Sequence, residues 1–303
     1  MDFKNFFKHF KRKLGRYSFS FSFLIIRFLP ERLVYVFADF VAKLGFLLAR
    51  KKRQNALESL NIAFGKEKDT SEIRRIAKAS FEYMARGVLE LLHIIFHPDK
   101  IKQKVIIEGK DNLDKALAEG KGAVCVTAHF GNFPLMLVKF ADEGYQTYAI
   151  MRNMRDPQME DIFQEKRTKL GIKTIYSNPR TQCVNESIKV LRNNGLLFMQ
   201  LDQNFGSGGV FVDFFGTKAA TATGPVIFAM RTGAPILPVF IIRNKDNTHK
   251  IIIEPPLHLE EKDTREATIV TSVARITKII EGYIKKYPEE WGWIHRRWKS
   301  KPA

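Results

Sequence analysis

From residue 105 onward, short runs suited to strands alternate with longer runs suited to helices, and few folds accommodate that alternation. Strand-like runs fall at 105–108, 123–128, 147–151, 174–176, 196–201, 236–242 and 250–253. Helix-like runs fall at 113–119, 133–143, 157–170, 181–193, 224–231 and 265–287. Such a chain builds an α/β fold, a largely parallel central sheet flanked by crossover helices. Ligands in open sheets of this kind bind beyond the carboxyl ends of the strands.

The run 122–134, GAVCVTAHFGNFP, fits that geometry. Its first half is small, apolar and β-branched, as a strand covered on both faces requires. Gly131 breaks the strand, Asn132 can cap a helix, and Pro134 suits the first helical turn, where its missing N–H costs nothing. His129 is thereby expected at the end of the strand, beside free backbone N–H groups and a positive helix terminus. A histidine satisfied by local hydrogen bonds is the competing explanation.

Other strand ends carry further polar groups. Arg152 follows one strand, and Asp202, Gln203 and Asn204 follow another, with the glycine loop 206–209 behind them. That loop lacks the lysine and the spacing of a phosphate-binding loop. Thr221, Thr223 and Gly224 open the next helix, offering hydroxyls and N–H groups to an anion or a carbonyl; plain helix capping explains Thr223 as well. Arg243 reads equally as an ordinary edge charge. Arg86, Glu90 and His93 share a helical face and read as a solvated or core-edge polar stripe.

The first 50 residues differ in character. Residues 1–16 interleave bases with Phe3, Phe6, Phe7 and Phe10, and apolar regions follow at 19–29 and 33–49. Asp39 and Lys43 interrupt the second region, so it is not a clean membrane span. On a helical wheel Arg32, Asp39, Lys43 and Arg50 lie within roughly 40° of one another, and the remaining surface is apolar. A helix set into a membrane with its narrow polar stripe turned to its own protein fits this pattern. An N-terminal helix packed on a soluble core is the alternative.

Composition narrows the partners. Fifty Lys+Arg against 32 Asp+Glu give a formal charge of +18, which favours anionic partners: nucleic acid, an anionic membrane surface or an acidic carrier protein. Twenty-five Phe residues and the lack of a recognised binding motif speak against nucleic acid. Cys125 and Cys183 have neither disulfide-framework nor metal-ligand spacing, so a reducing environment is the default and no metal or cofactor is implied. The tail from Tyr287 to Lys299 holds Trp291, Trp293 and Trp298 with Arg296 and Arg297. It suits either a membrane interface or a packed aromatic anchor with a basic surface.

Taken together, NALESLNIAF at 55–64, HFGNF at His129, Asp202-Gln203 before the glycine loop, and Phe214-Phe215-Gly216 with Ala220, Thr221, Thr223 and Gly224 form a pattern. It continues through Thr232-Gly233-Ala234-Pro235 and closes with YPEEWGWIHRRW. This pattern resembles the bacterial lipid A biosynthesis acyltransferases, the lauroyl/myristoyl branch of the lysophospholipid acyltransferase superfamily. The resemblance implies transfer of a fatty acyl group from a thioester, on acyl carrier protein or coenzyme A, to a hydroxyl of a membrane glycolipid such as a lipid A precursor. Another glycolipid or phospholipid acceptor stays open. It implies His129 as general base, with the following N–H groups and Arg152 as oxyanion donors. Asn132, Gln203, Thr221, Thr223, Gly224, Arg296 and Arg297 are the candidate substrate contacts. It further implies the cytoplasmic face of a bacterial inner membrane. On this reading residues 1–53 are a membrane-associating segment, and 54–303 the acyltransferase domain, with a helical lead-in to 100 and a tail from 287.

One position departs from the family pattern. The acid that follows the histidine after four residues is here Pro134, which can neither accept a proton nor hold a ring nitrogen. Asp202, at the end of a neighbouring strand, is the expected substitute. The alternative is a non-catalytic lipid-binding member.

Overall fold

The structure, a computed structural model, describes residues 23, 25–154 and 156–302; the base–aromatic run 1–16 lies outside them. Among the described residues, three long helices precede the α/β body: α1 (Glu31–Leu48), α2 (Arg50–Phe64) and α3 (Thr70–Phe96). The start of α3 is capped by Asp69, whose carboxylate accepts the Glu72 N–H at 2.9 Å. The short helix α4 (Ile101–Lys104) then leads into the α/β body.

In chain order that body comprises β1 (Val105–Glu108), α5 (Lys110–Ala118), β2 (Ala123–Thr127), α6 (Phe133–Asp142), β3 (Thr147–Met151), α7 (Pro157–Lys169) and β4 (Lys173–Tyr176). It continues with α8 (Arg180–Arg192), β5 (Leu196–Gln200), β6 (Val210–Phe214), β7 (Thr217–Thr221), α9 (Gly224–Thr232), β8 (Ile236–Arg243), β9 (His249–Ile253) and α10 (Arg265–Lys286). Seven strands form one sheet in the order β1-β9-β8-β2-β5-β3-β4. All neighbours pair in parallel except β8 with β9, so the sheet is largely parallel as the alternation predicts. The central strand β2 is buried along its whole length, and helices cover both faces.

The antiparallel hairpin β6–β7 is absent from the sequence reading. Its two-residue turn places Phe215 at φ 54 and Gly216 at φ 70, the backbone of a type I′ turn. A phenylalanine at that position gives no turn signal. Burial of its ring against Phe64 and Trp293 holds the conformation instead.

Helix α1 packs on α3 through Val34, Ala38 and Ala42, one face of a helix with small residues that allow close approach. The polar stripe expected to face the protein therefore lies beside the seam. Asp39 pairs with Arg86 of α3 at 2.6 Å, whereas Arg32, Lys43 and Arg50 are not drawn into the seam. The outer face, with Leu33, Val36, Phe40, Leu44, Leu47 and Leu48, is an exposed apolar strip. Among the described residues no helix is long and apolar enough to cross a membrane.

Candidate active site

Sheet register builds the centre of the site. Strands β2 and β5 are parallel neighbours with Thr127 opposite Gln200, and Leu201 N donates to Thr127 O at 3.1 Å. His129 and Asp202 each lie two residues past that pair, at the same sheet edge. Their side chains meet there, His129 Nδ1 lying 2.9 Å from Asp202 Oδ1. The second carboxylate oxygen accepts the Trp291 Nε1–H at 2.8 Å. Asp202 is only 1% exposed, whereas His129 keeps 28% of its side chain open to solvent.

The electrostatics follow from this packing. Burial alone favours a neutral carboxyl, but the charge and hydrogen bond of His129 and the indole N–H outweigh it, holding Asp202 down to about 2. Burial likewise favours neutral imidazole at His129; the Asp202 carboxylate overcomes it and raises the histidine above its ordinary value. Nδ1 thus donates to Asp202, and Nε2 is left as the acceptor.

The C-terminal tail assembles the other half of the site. Phe130 bridges Trp291 in antiparallel fashion: Gly131 N donates to Glu290 O at 2.8 Å and Gly292 N to His129 O at 3.2 Å. Gly131 has φ +56, and a Cβ there would lie 2.1 Å from Ile241 O, so only glycine fits. The Glu290 carboxyl, buried behind this turn, is pushed up to about 8 by burial, which the backbone N–H and charge of Arg243 only partly oppose. Sequence reasoning missed His295, whose ring centroid is 5.6 Å from that of His129. Burial and the His129 charge lower its pKa. Gln203, expected as a substrate contact, has its Nε2 3.2 Å from His295 Nε2.

Several expected substrate contacts are instead held within the protein. Asn132 is buried; its amide donates to Glu90 at 2.8 Å and to Gly87 O at 3.2 Å, and its oxygen caps α6. Arg297 is fully buried against Ala220 O, Gln203 O and the Thr221 hydroxyl, so neither Arg297 nor Thr221 presents a free side chain to a ligand. Gly131 N–H, one of the expected oxyanion donors, is already taken by Glu290 O. Gly224 opens α9, and a Cβ there would press on the flexible end of Met199, 2.7 Å away. Thr223 precedes α9 without a side-chain cap bond, and Arg152 and Arg296 are exposed. Arg152 follows β3, two strands from β2 on the same edge. The tail tryptophans are core residues: Trp291, Trp293 and Trp298 are buried, which selects the packed-anchor alternative.

Trp291→Phe removes one donor from a buried carboxylate while keeping an aromatic ring. The expected loss of stability is about 1–3 kcal/mol, read by chemical denaturation. The remaining carboxylate oxygen then holds His129 alone, and the imidazole is expected to be less firmly oriented.

A histidine–carboxylate pair at the carboxyl ends of adjacent parallel strands, open on the imidazole side, has the geometry to accept a proton from a bound hydroxyl. The chain belongs to the bacterial lipid A biosynthesis acyltransferase family, whose sequence model matches residues 1–300. It is 25% identical to the lipid A biosynthesis palmitoleoyltransferase of Escherichia coli over 260 residues, 84% of this chain and 81% of that one. It is also 25% identical to the E. coli lipid A biosynthesis lauroyltransferase over 278 residues, 90% of this chain and 88% of that one. A phosphatidylinositol mannoside acyltransferase of Mycobacterium tuberculosis is 29% identical over 137 residues, 44% and 42% of the two chains.

Proposed function

We propose that this protein transfers a fatty acyl group from an acyl thioester, on acyl carrier protein, to a hydroxyl of a lipid A precursor at the cytoplasmic face of a bacterial inner membrane. The observation that carries the chemistry is the His129 Nδ1–Asp202 Oδ1 contact of 2.9 Å with the imidazole partly open. His129 Nε2 takes the proton of the acceptor hydroxyl as its oxygen attacks the thioester carbonyl. The tetrahedral oxyanion then collapses, the C–S bond breaks, and the imidazolium returns the proton to the departing thiolate. Asp202 fixes the tautomer and stabilises the imidazolium. Arg152 and Arg296, exposed at the strand edge and on the tail, are the remaining candidates for binding anionic parts of the substrates.

Labelled acyl carrier protein and a lipid A precursor in detergent test this directly, with acyl-CoA and phosphatidylinositol mannoside as alternative donor and acceptor. The M. tuberculosis relative favours keeping the second acceptor in the assay. Transfer to the lipid A precursor supports the reading; transfer only to the mannoside moves the acceptor. Silence with every pair makes the protein a non-catalytic member, as Pro134 would allow.

The outer strip of α1 supports docking on the bilayer surface. A contiguous apolar helix face with basic residues at its edges binds anionic lipid interfaces. Val36 and Phe40 are 65% and 61% exposed, so charging them leaves the fold alone. Val36→Asp with Phe40→Asp is expected to weaken co-sedimentation with anionic vesicles by at least about tenfold. An unchanged bound fraction would contradict the docking face.

A further inference from the structure

A second buried polar cluster lies outside the dyad and is centred on Glu90, which is 2% exposed in the second half of α3. Its two oxygens accept hydrogen bonds from side chains on several separate elements. Oε1 takes the Tyr35 hydroxyl at 2.5 Å, Lys104 Nζ at 3.0 Å and Arg243 Nη1 at 3.3 Å. Oε2 takes the Asn132 amide at 2.8 Å, Arg243 Nη2 at 2.7 Å and His249 Nε2 at 2.9 Å.

A buried carboxylate so fully satisfied is a rigid reference point. Among these partners Asn132 is the one that lies in the turn directly after His129. Its amide has two chemically different ends, and the Glu90 carboxylate can only accept, so Nδ2 must face Glu90. Oδ1 is thereby turned to the Leu135 N–H, where it caps α6. The turn 129–132 is then fixed from both sides. The tail holds it through Gly131 N–Glu290 O and Gly292 N–His129 O, and Glu90 holds it through Asn132.

We propose that Glu90 is a positioning residue for acyl transfer: by fixing the Asn132 amide it fixes the turn carrying His129 in register with Asp202. This inference rests on the dyad reading of the site. A displacement of about 1 Å at a reacting group lowers rate by roughly a hundredfold without weakening substrate binding in proportion.

The test compares Glu90→Gln, Asn132→Asp and the double exchange. Asn132→Asp sets two carboxylates against each other, and Glu90→Gln offers an amide to donors that need an acceptor. The double exchange restores one amide facing one carboxylate with the roles reversed, and it keeps the net charge. The carboxylate it places at position 132 is still a competent helix cap. Each single change is expected to lower kcat by about 10- to 100-fold with KM for donor and acceptor within about threefold, and the double to recover most of the loss. A double variant no better than Glu90→Gln would overturn the proposal, because Glu90 would then serve only as counter-ion to Arg243 and Lys104. Singles that fold and keep full kcat would overturn it too. Should Glu90→Gln lose its cooperative thermal transition, Asn132→Ala decides: a lowered kcat supports positioning, an unchanged one refutes it. Ring-nitrogen NMR of His129, which needs no substrate, distinguishes a positioning role of Glu90 from catalytic activity itself. Loss of the single Nδ1–H tautomer in Asn132→Asp supports positioning even if wild-type protein transfers no acyl group, and an unaltered tautomer refutes it.

Discussion

His129→Ala is expected to lower kcat/KM for acyl transfer by about three orders of magnitude, within the range that removal of a general base typically produces. His129 is the dyad member open to solvent, and its Nε2 is the acceptor left by the bond to Asp202. No other described group combines an accepting nitrogen with this position. His295 comes within 5.6 Å between ring centroids, but it stands beside Gln203 and lacks a carboxylate partner. Removal of His129 also takes a donor from the buried Asp202 carboxylate, so a loss of stability of about 1–3 kcal/mol is expected beside the loss of rate. Steady-state transfer of labelled acyl chains, with circular dichroism as the folding control, reads both quantities.

Asp202→Asn is expected to cost about 10²- to 10⁴-fold, the upper end being the loss that the same change produces in a serine-protease triad. The asparagine has one oxygen where two donors wait, His129 Nδ1 and Trp291 Nε1. If the oxygen stays with the indole, the amide N–H₂ faces Nδ1, the imidazole takes the other tautomer, and Nε2 no longer accepts a proton. The change also carries a pH signature. In the wild type Asp202 raises the His129 pKa, and a general base works only when deprotonated, so with His129 in that role the acid limb of kcat/KM is expected above the ordinary histidine value. Without the carboxylate only burial acts on the ring, and the acid limb is expected to move to lower pH. A limb that stays in place would show that Asp202 does not set the ionisation of the base.

The same shifts link to stability with opposite signs. His129, raised in the fold, contributes stability that is present at low pH and lost as pH rises through its folded pKa. Asp202, held at about 2 against an ordinary 3.8, contributes stability present above 3.8 and lost as pH falls toward 2.

The sheet and the position of His129 are legible in the sequence because local signals and tertiary context agree there. A strand buried on both faces reads as a continuous apolar run, and Gly131, Asn132 and Pro134 punctuate its end. The proximity of Asp202 follows from strand-end placement, since parallel neighbours in register bring equivalent positions together. What stays hidden depends on pairings remote in sequence. Glu90 on its helical stripe is indistinguishable from a solvated carboxylate until Arg243, His249 and Asn132 close around it. Arg297 and Trp291 read as surface basic and interfacial residues, yet they bury themselves beneath the hairpin and behind Asp202. Helix α1 departs from its wheel in one respect: Val34, Ala38 and Ala42 form the seam that the arithmetic assigns to Asp39 and Lys43. Small apolar residues permit closer helix contact than charges do, and they decide the packed face.

With Pro134 at the position of the motif acid, the proposed chemistry stands on the pairing of His129 with Asp202. Acyl transfer from labelled acyl carrier protein to a lipid A precursor, measured side by side for wild type, His129→Ala and Asp202→Asn, tests it most directly. An active wild type and a loss of about a hundredfold or more in each variant are expected. Full activity in Asp202→Asn would contradict the proposed chemistry, because the imidazole would then be working without the carboxylate that the fold places against it.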